Sequence, residues 1–339
     1  MEVSDLNLTV LCRRADNITN EHAERKTYIM SRTAVLIPCY NESLTIKTVI
    51  EDFRKNMPDA EIYVYDNNST DGTADIAREA GAIVRREYRQ GKGNVVRTMF
   101  REIEADCYIM VDGDNTYPAG FGPVLEKYVL EGKADMAIGD RLSSTYFQEN
   151  KRPFHNFGNR LVRSMINHLY KAHVNDIMTG ARAFSRDFVK SFAVLSKGFE
   201  IETEMTIFAL DNNFKLVEVP VDYKDRPDGS VSKLNTYSDG FRVIGTIFSL
   251  FRSTNPMTFF SLIGLIFLLT GTGFFIPIVI DFVNTGLVLK FPTLIVIICI
   301  WIIGILFIFC GMILSEIKKK DRKDFERFLN ILHYMNSRK

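Results

Sequence analysis

The sequence predicts an α/β domain with a mostly parallel sheet, followed by a membrane-surface helix and a two-helix transmembrane hairpin. Short β-rich runs alternate with helical patterns from Thr33 onward, and such alternation builds a sheet with helices on both faces. Near the carboxyl end, the runs from Phe259 to Ile280 and from Phe291 to Leu314 contain no charged residue. Each of these runs is long enough, at about 1.5 Å per helical residue, to cross a bilayer.

The composition excludes several classes of protein. Lys and Arg together number 42 and Asp and Glu 41, so the net charge of +1 argues against binding of nucleic acid by bulk charge. Apolar residues make up 46% and charged residues 24% of the chain, which excludes intrinsic disorder and collagen-like or disulfide-rich folds. The five cysteines form no CxxC pair, so the sequence favours a reducing cytoplasm over a disulfide framework or a zinc site.

Four β-rich runs, each followed by a helical pattern, begin the predicted sheet. The strands are predicted at 33–39, 61–66, 82–86 and 107–112, and the helices at 43–56, 73–80, 92–104 and 121–131. In sheets of this kind, ligands bind beyond the carboxyl ends of the strands. Polar residues cluster where these strands end, namely at 41–42, 66–71 and 112–115.

The triplet Asp112, Gly113 and Asp114 follows an apolar strand directly. Two carboxylates separated by one small residue can present oxygens to Mg²⁺ or Mn²⁺, which in turn holds a diphosphate. Asp-Gly is also a turn-forming pair, so a plain turn is the alternative interpretation. The position of the triplet after a buried strand favours the metal site.

Two further segments offer cations to phosphate groups. Lys92, in the segment GKGNVVR, stands at the start of a predicted helix, where it either contacts phosphate or is simply solvated. The polar loop at 226–235 follows the β-rich run KLVEVPVDY and contains two cations and two hydroxyls, Arg226, Ser230, Ser232 and Lys233. This loop favours binding of an anion at the level of the lipid head groups, with a solvated turn as the alternative.

The charges around the apolar runs predict the orientation in the membrane. Eight cations and four carboxylates follow the second run, so the positive-inside rule places the tail and, across two spans, residues 1–250 in the cytoplasm. The first 30 residues contain no uninterrupted apolar stretch, so no signal peptide is predicted. Apolar residues at helical spacing from Phe241 to Phe251 predict an amphipathic helix in the head-group layer, or else a helix that caps the soluble domain.

The chain therefore divides into five predicted segments. They are a polar N-terminal extension at 1–30, an α/β catalytic domain at 31–235, a juxtamembrane amphipathic helix at 236–257, a transmembrane hairpin at 258–315 and a basic cytoplasmic tail at 316–339.

Eight motifs along the chain together carry a resemblance to a known family. They read IPCYNE (37–42), YDNNSTDGT (65–73), GKGNVVR (91–97), VDGD (111–114), GDR (139–141), DIMTGARAFSR (176–186), GFEIETEM (198–205) and RPDGSVSKL (226–234). In this order, and with the hairpin, the chain resembles glycosyltransferase family 2 from about Thr33 to Leu314. More narrowly, it resembles the polyprenyl-phosphate glycosyltransferases related to dolichol-phosphate mannose synthase, in the bacterial branch with two C-terminal membrane helices.

The resemblance implies a GT-A nucleotide-sugar-binding domain that uses Mg²⁺ or Mn²⁺. By motif position it places residues in the nucleoside pocket, at the metal and diphosphate, and at the phosphates of donor or acceptor: respectively Pro38, Tyr40, Glu42 and Asp66; Asp112 and Asp114; and Arg141, Arg226, Ser232 and Lys233. Asp176 matches an acidic position near the acceptor, where it would act as a base or orient Arg141 or Arg182. After the metal motif the chain reads NTYP where many relatives have LQDPP or LQHPP, so the donor-sugar preference is not transferred.

The function that the resemblance implies is inverting transfer of a hexose from a nucleotide sugar, UDP-glucose or UDP-N-acetylglucosamine, to undecaprenyl phosphate. The β-linked lipid product would serve cell-envelope glycan modification, and a homo-oligomer through the membrane helices is expected. A processive polysaccharide synthase is one alternative, but its Gln-x-x-Arg-Trp signature is missing, since the single tryptophan, Trp301, lies in the second apolar run. A non-catalytic membrane scaffold is the other alternative, and the intact metal motif argues against it.

Overall fold

The computed structural model describes residues 32–143, 153–198, 200–226, 248–249 and 251–336. These residues form an α/β unit built on one seven-stranded sheet, and two long apolar helices follow it. The predicted N-terminal extension at 1–30, together with Ser230, Ser232 and Lys233, lies outside the described residues.

The strands form one mixed sheet in the order β3-β2-β1-β4-β6-β5-β7. Their bounds are β1 Thr33–Cys39, β2 Glu61–Asp66, β3 Ile83–Arg86, β4 Cys107–Met110, β5 Met136–Asp140, β6 Arg182–Ser185 and β7 Leu216–Pro220. Strands β1 to β4 pair in parallel, as do β5 and β7, whereas β6 runs antiparallel to both β4 and β5. The predicted mostly parallel sheet is therefore confirmed, with β6 as an antiparallel strand that sequence alternation did not reveal.

The helices of the α/β unit cover both faces of this sheet. Their bounds are α1 Ile46–Asn56, α2 Thr73–Glu79, α3 Lys92–Glu102, α4 Phe121–Leu130, α5 Pro153–Tyr170, α6 Arg186–Ser191 and α7 Ile201–Asp211. Helix α1 starts later than predicted because the Glu42 carbonyl accepts hydrogen bonds from the amides of Thr45 and Ile46, which form a turn first. Helix α3 ends earlier than predicted, because Ile103 is already extended.

Alternate residues of the central strands supply two separate apolar cores. In β1, Ala34 and Leu36 belong to one core, whereas Val35 and Ile37 belong to the other, and all four are fully buried. Successive side chains of a strand point to opposite faces, so a continuous apolar run identifies a strand covered on both sides. Burial on both faces leaves the carboxyl ends of the strands as the open edge of the sheet.

Two long apolar helices, α8 Pro256–Thr285 and α9 Phe291–Asn336, correspond to the predicted hairpin. Both are long and apolar enough to cross a membrane, which fits a membrane-associated protein. They approach closely where two glycines meet: a Cβ on Gly264 would lie 2.6 Å from the carbonyl oxygen of Gly304. The indole N–H of Trp301 also donates to the Leu268 carbonyl at 3.3 Å.

The segments that flank the hairpin differ from simple linkers. Helix α9 is 46 residues long, or about 69 Å at 1.5 Å per residue, so most of the predicted basic tail continues the second apolar helix. Before α8, residues 248–249 and 251–254 are helical. The remainder of the predicted amphipathic helix, 236–247, lies outside the described residues, so that helix stays a prediction.

Candidate active site

The loops that follow β1 and β4 meet at the open edge of the sheet. The Thr45 hydroxyl donates to the Gly113 carbonyl at 2.6 Å, which ties the start of α1 to the Asp112–Asp114 triplet. A Cβ on Gly113 would lie 2.8 Å from the Cys39 sulfur, closer than real Cβ contacts allow. Gly113 therefore lets the triplet pass directly beneath the end of β1.

The four predicted nucleoside-pocket residues lie at the ends of two adjacent strands. Pro38 is opposite Tyr65, and β1 and β2 stay in register as far as Asp66. The Asp66 carboxylate is buried and accepts from the Ser69 amide at 3.3 Å. After β1, Tyr40 is 39% exposed and the Glu42 amide donates to the Thr73 hydroxyl at 2.9 Å. These residues line one edge, and their contacts with a nucleoside stay a prediction.

Asn67 joins the loop after β2 to the segment between β3 and α3, and it was missed from the sequence. Its buried amide group donates to the carbonyls of Glu87 and Arg89, both at 2.8 Å, and its side-chain oxygen accepts from the Gly91 amide at 2.7 Å. Gly91 has a φ of 124°, which favours glycine, and directly precedes α3. Asn67 thus fixes the position from which Lys92 enters the site. The pair Asn67-Asn68 in YDNNSTDGT was the signal available for it.

Lys92 is buried between two carboxylates rather than solvated. Its side chain is 8% exposed, and its ammonium forms ion pairs with Asp112 and with Glu202, the latter 6% exposed. Burial opposes the charge on Lys92, but the two carboxylates outweigh it and raise the pKa of Lys92. Burial also disfavours the charged form of Glu202 and thereby raises its pKa, although the charge of Lys92 acts in the opposite direction. The predicted contact of Lys92 with phosphate stays a prediction.

The second carboxylate of the triplet is paired with a different cation. The Asp114 side chain is 6% exposed and lies 2.6 Å from an Arg226 guanidinium nitrogen, while the Thr116 hydroxyl donates to its other oxygen at 2.7 Å. Burial raises the pKa of Asp114, and the charge of Asp112 adds to this effect. Two adjacent carboxylates are thus each neutralised by a basic side chain.

The carboxylates of Asp112 and Asp114 fit a divalent cation whose remaining ligands include diphosphate oxygens. A Cβ on Gly180 would overlap the Asp112 carboxylate, so Gly180 provides the room in which this group sits. Across the described ranges, no group of three or more Asp, Glu, His or Cys side chains is placed to hold a metal ion. Two carboxylates completed by phosphate oxygens and water are, however, the usual arrangement for Mg²⁺ at phosphate-transfer sites.

Asp176 is held by Arg141, and not by Arg182. The Asp176 carboxylate is 1% exposed and accepts from the Arg141 Nε at 2.8 Å. Arg182 is fully buried and donates instead to the Thr206 hydroxyl at 2.9 Å and the Thr179 carbonyl at 3.1 Å. Burial lowers the pKa of Arg182 to about 10. Of the two arginines that Asp176 was predicted to orient, the structure therefore selects Arg141.

Tyr117 belongs to the NTYP segment where the chain departs from the pattern of many relatives. Its hydroxyl lies 3.3 Å from the Gly180 amide and 3.4 Å from the Arg141 guanidinium, both of which donate to it. Its ring packs edge-on against Tyr223, which also faces Arg141. Burial raises the pKa of Tyr117 to about 12, so the hydroxyl is neutral at physiological pH. Tyr117 links the metal motif to Arg141.

The sequence profile described as "Glycosyl transferase family 2" matches residues 34–192. Glycosyltransferase AglJ of Haloferax volcanii is 35% identical over 240 residues, which cover 70% of this chain and 78% of that protein. The chain belongs to glycosyltransferase family 2.

Two more proteins resemble this family 2 glycosyltransferase. The polyprenol monophosphomannose synthase of Mycolicibacterium smegmatis is 29% identical over 223 residues, which cover 60% of this chain and 81% of that protein. The crystal structure of Mycobacterium tuberculosis glucosyl-3-phosphoglycerate synthase in complex with Mn²⁺ and uridine-diphosphate-glucose superposes with a TM-score of 0.54 at 21% identity, over 65% of this chain and 79% of that chain. This likeness concerns the fold, and it confirms the predicted GT-A architecture.

The ion pairs of the site form one charged cluster, of which two residues lie beyond the family 2 profile; its members are Lys92, Asp112, Asp114, Glu202 and Arg226. Glu202 and Arg226 lie beyond residue 192, where the profile ends. Glu202 was missed as a site residue although it stands within GFEIETEM, a motif that carried the resemblance. The candidate site of this glycosyltransferase thus combines residues within the range that the profile matches, 34–192, with residues from two later segments, α7 and the chain after β7.

Proposed function

We propose that this enzyme transfers a hexose from a uridine diphosphate sugar to undecaprenyl phosphate, with inversion at the anomeric carbon. The observation that carries the proposal is the cluster of Asp112, Asp114, Lys92 and Arg226 at the edge of the sheet. It offers carboxylates to a divalent cation and cations to a diphosphate. The two apolar helices and the resemblance to a polyprenol monophosphomannose synthase support a polyprenyl phosphate as acceptor.

At the donor end, Asp112 and Asp114 would hold Mg²⁺ or Mn²⁺, which supplies positive charge to the leaving diphosphate. Lys92 and Arg226 neutralise the same carboxylates and are therefore close enough to this position to contact phosphate oxygens. Pro38, Tyr40, Glu42 and Asp66 form the nucleoside side of the site. We take UDP-glucose and UDP-N-acetylglucosamine as the donors to test first.

At the acceptor end, an oxygen of the lipid phosphate forms a bond to the anomeric carbon. The bond from that carbon to the diphosphate oxygen breaks, and its electron pair leaves with the nucleoside diphosphate. A phosphate monoester with a second pKa of about 6 is already largely anionic at neutral pH, so the reaction needs no strong base. Asp176 acts in this scheme by positioning Arg141, while Arg141, Ser232 and Lys233 bind phosphate.

The same scheme places the α/β unit in the cytoplasm, where nucleotide sugars are made available. The positive charges that follow the apolar part of α9 favour this orientation. The product would be a β-linked polyprenyl-phosphate sugar for cell-envelope glycan modification. Homo-oligomerisation through α8 and α9 stays a prediction.

Incubation of membranes that contain the enzyme with undecaprenyl phosphate and a panel of labelled nucleotide sugars tests the proposal. We expect label in a lipid fraction from one uridine diphosphate hexose, and a β configuration at the anomeric carbon of the intact lipid-linked sugar by NMR. Label in polymer without a lipid-linked monosaccharide would favour a processive synthase, and no transfer from any donor would contradict the proposal.

Asp114→Asn tests the metal assignment, because it removes a negative charge with little change of volume. We expect sugar transfer to be lost, and the parent enzyme to lose activity with excess chelator and recover it with Mg²⁺ or Mn²⁺. Asp59→Asn, at an exposed position, is the matched control and should behave like the parent. Turnover close to that of the parent in Asp114→Asn would show that this carboxylate is not a metal ligand.

A further inference from the structure

A cavity of about 300 Å³ lies where the α/β unit meets the two apolar helices. We call it the membrane-junction cavity. Its walls come from the ends of α5 and α7, from the start of α8 and from α9, and they consist of Leu169, Tyr170, Asp211, Thr254, Asn255, Pro256, Met257, Thr258, Ser315, Lys318, Lys319 and Arg322. The residues of α9 in this wall recur at helical spacing and so share one face of that helix.

The cavity lies at the boundary of the apolar part of both helices. Helix α8 carries no charged residue from Pro256 to Ile280, and α9 carries none from Phe291 to Ser315. The cavity is lined by the first residues of the first run and by those that follow the second. If the apolar runs fill the hydrocarbon layer, this cavity lies at the depth of the lipid head groups.

Cations outnumber carboxylates in the wall of this cavity. Lys318 is paired with Asp211 at 2.8 Å and also donates to the Thr254 carbonyl at 2.9 Å. Lys319 is paired with Glu316, one helical turn away, at 2.6 Å. Arg322 forms no ion pair with any residue in the described parts of the chain. Asp211 is the one carboxylate of the lining, against three basic side chains.

We infer that the membrane-junction cavity binds the phosphate head group of an anionic membrane phospholipid. Arg322 supplies a planar donor pair and Lys319 a compact charge, while the lining hydroxyls and the Asn255 amide can hydrogen-bond to the head group. The bound lipid would hold the catalytic unit at a fixed height above the bilayer. This inference rests on membrane insertion of α8 and α9, and not on the identity of donor or acceptor.

The cavity is separate from the candidate active site. Glu202, which pairs with Lys92, lies near the start of α7, whereas Asp211 ends that helix. They are nine helical steps apart, or about 13 Å along the axis. The cavity wall also lacks the paired carboxylates that would hold a metal and a diphosphate. A phospholipid head group therefore fits it better than the reacting phosphate does.

Two double variants with the same loss of charge test this inference. Lys319→Gln with Arg322→Gln changes the cavity wall, and Lys320→Gln with Lys323→Gln changes exposed residues of α9 outside it. Full-length protein in phosphatidylcholine nanodiscs, with or without phosphatidylglycerol, is compared by thermal midpoint and by the lipid that co-purifies. We expect phosphatidylglycerol to raise the midpoint of the parent and of the control, and to bind the cavity variant roughly tenfold or more weakly.

Three outcomes would overturn the inference. If both double variants lost phosphatidylglycerol binding to the same extent, the effect would be a general attraction of the basic helix to an anionic surface. If inorganic phosphate raised the thermal midpoint of the protein in detergent as much as phosphatidylglycerol does in nanodiscs, the cavity would be a site for free phosphate. If undecaprenyl phosphate raised the midpoint and phosphatidylglycerol did not, the cavity would belong to the acceptor. Because binding is measured without turnover, these results do not depend on the proposed reaction.

Discussion

The candidate active site and the membrane-junction cavity differ in the balance of their charges. At the active site, three carboxylates, those of Asp112, Asp114 and Glu202, face two cations, so the cluster has one negative charge left over. In the cavity wall, three cations face Asp211, and Glu316 beside the wall pairs with Lys319, so one positive charge is left over. A surplus of carboxylate suits a divalent cation and then the diphosphate that follows it, whereas a surplus of basic side chains suits an anion directly. Charge balance thus separates two sites that both bind phosphate in our proposals.

Lys92→Met should have the largest effect on stability, because it removes the cation that lies between Asp112 and Glu202. Loss of one member of a buried ion pair costs about 3–5 kcal/mol. We therefore expect a clear fall in the thermal midpoint of the full-length protein in detergent. Adding Glu202→Gln should recover part of the loss, since it removes the buried charge left without its partner.

Lys133→Met is the control for this change. Lys133 pairs with Glu131 on the surface, and both side chains are well exposed, so its removal should leave the midpoint close to that of the parent. Equal midpoints for Lys92→Met and the parent would mean that the active-site charges do not act as one unit, and the contrast with the cavity would fail.

The first half of the sheet was predictable because its signals are local. Strands β1 to β4 lie in short β-rich runs, each followed by its own helix, and the polar residues at their ends make Asp66, Asp112 and Asp114 candidates for the site. The insertion of β6 between β4 and β5 was not predictable from alternation, because it depends on pairing between distant segments. The length of α9 is not apparent from the sequence, because the charged residues after its apolar run are typical of a separate tail.

The pairings within the site could not be predicted for the same reason. Lys92 and Glu202 are separated by 110 residues, and Asp176 and Arg141 by 35. The motifs named most members of the site, but which cation neutralises which carboxylate depends on packing between α3, α7 and the loops. The sequence assigns Lys92 to phosphate and Asp112 to the metal, whereas the structure joins them in one ion pair.

Gly180→Ala sharpens the comparison at the metal motif without changing any charge. The new methyl group would overlap the Asp112 carboxylate and displace it. Disturbing the surroundings of a metal ligand typically lowers metal affinity or activity by roughly 10- to 100-fold. We expect the concentration of Mn²⁺ or Mg²⁺ that gives half of the maximal initial rate to be higher for Gly180→Ala than for the parent.

Gly120→Ala is the matched control, because a Cβ at Gly120 has no atom within 4 Å. It should keep the metal dependence of the parent. If Gly180→Ala also keeps it, the position of the Asp112 carboxylate in this structure is not the one that matters for metal use.

Phe325→Ala should have the smallest effect, and it acts on the junction alone. Phe325 lies one turn beyond Arg322 on α9, and its ring meets Phe208 and Phe214 edge-on at 5.5 and 6.2 Å. Such contacts contribute about 0.5–1.5 kcal/mol each, so their loss should loosen the extension of α9 from α7 without unfolding the sheet. We expect faster hydrogen exchange in the last turn of α7 and in α9 beyond Leu314, with unchanged exchange in β1 and β4.

Phe328→Ala, at a position 44% exposed, should leave exchange at the parent rate. Because the same helix face carries Lys318 and Arg322, Phe325→Ala should also weaken the stabilising effect of phosphatidylglycerol while sparing metal-dependent turnover in excess acceptor. If turnover falls as far as it does in Gly180→Ala, the two regions are coupled, and the separation drawn from their charges does not extend to function.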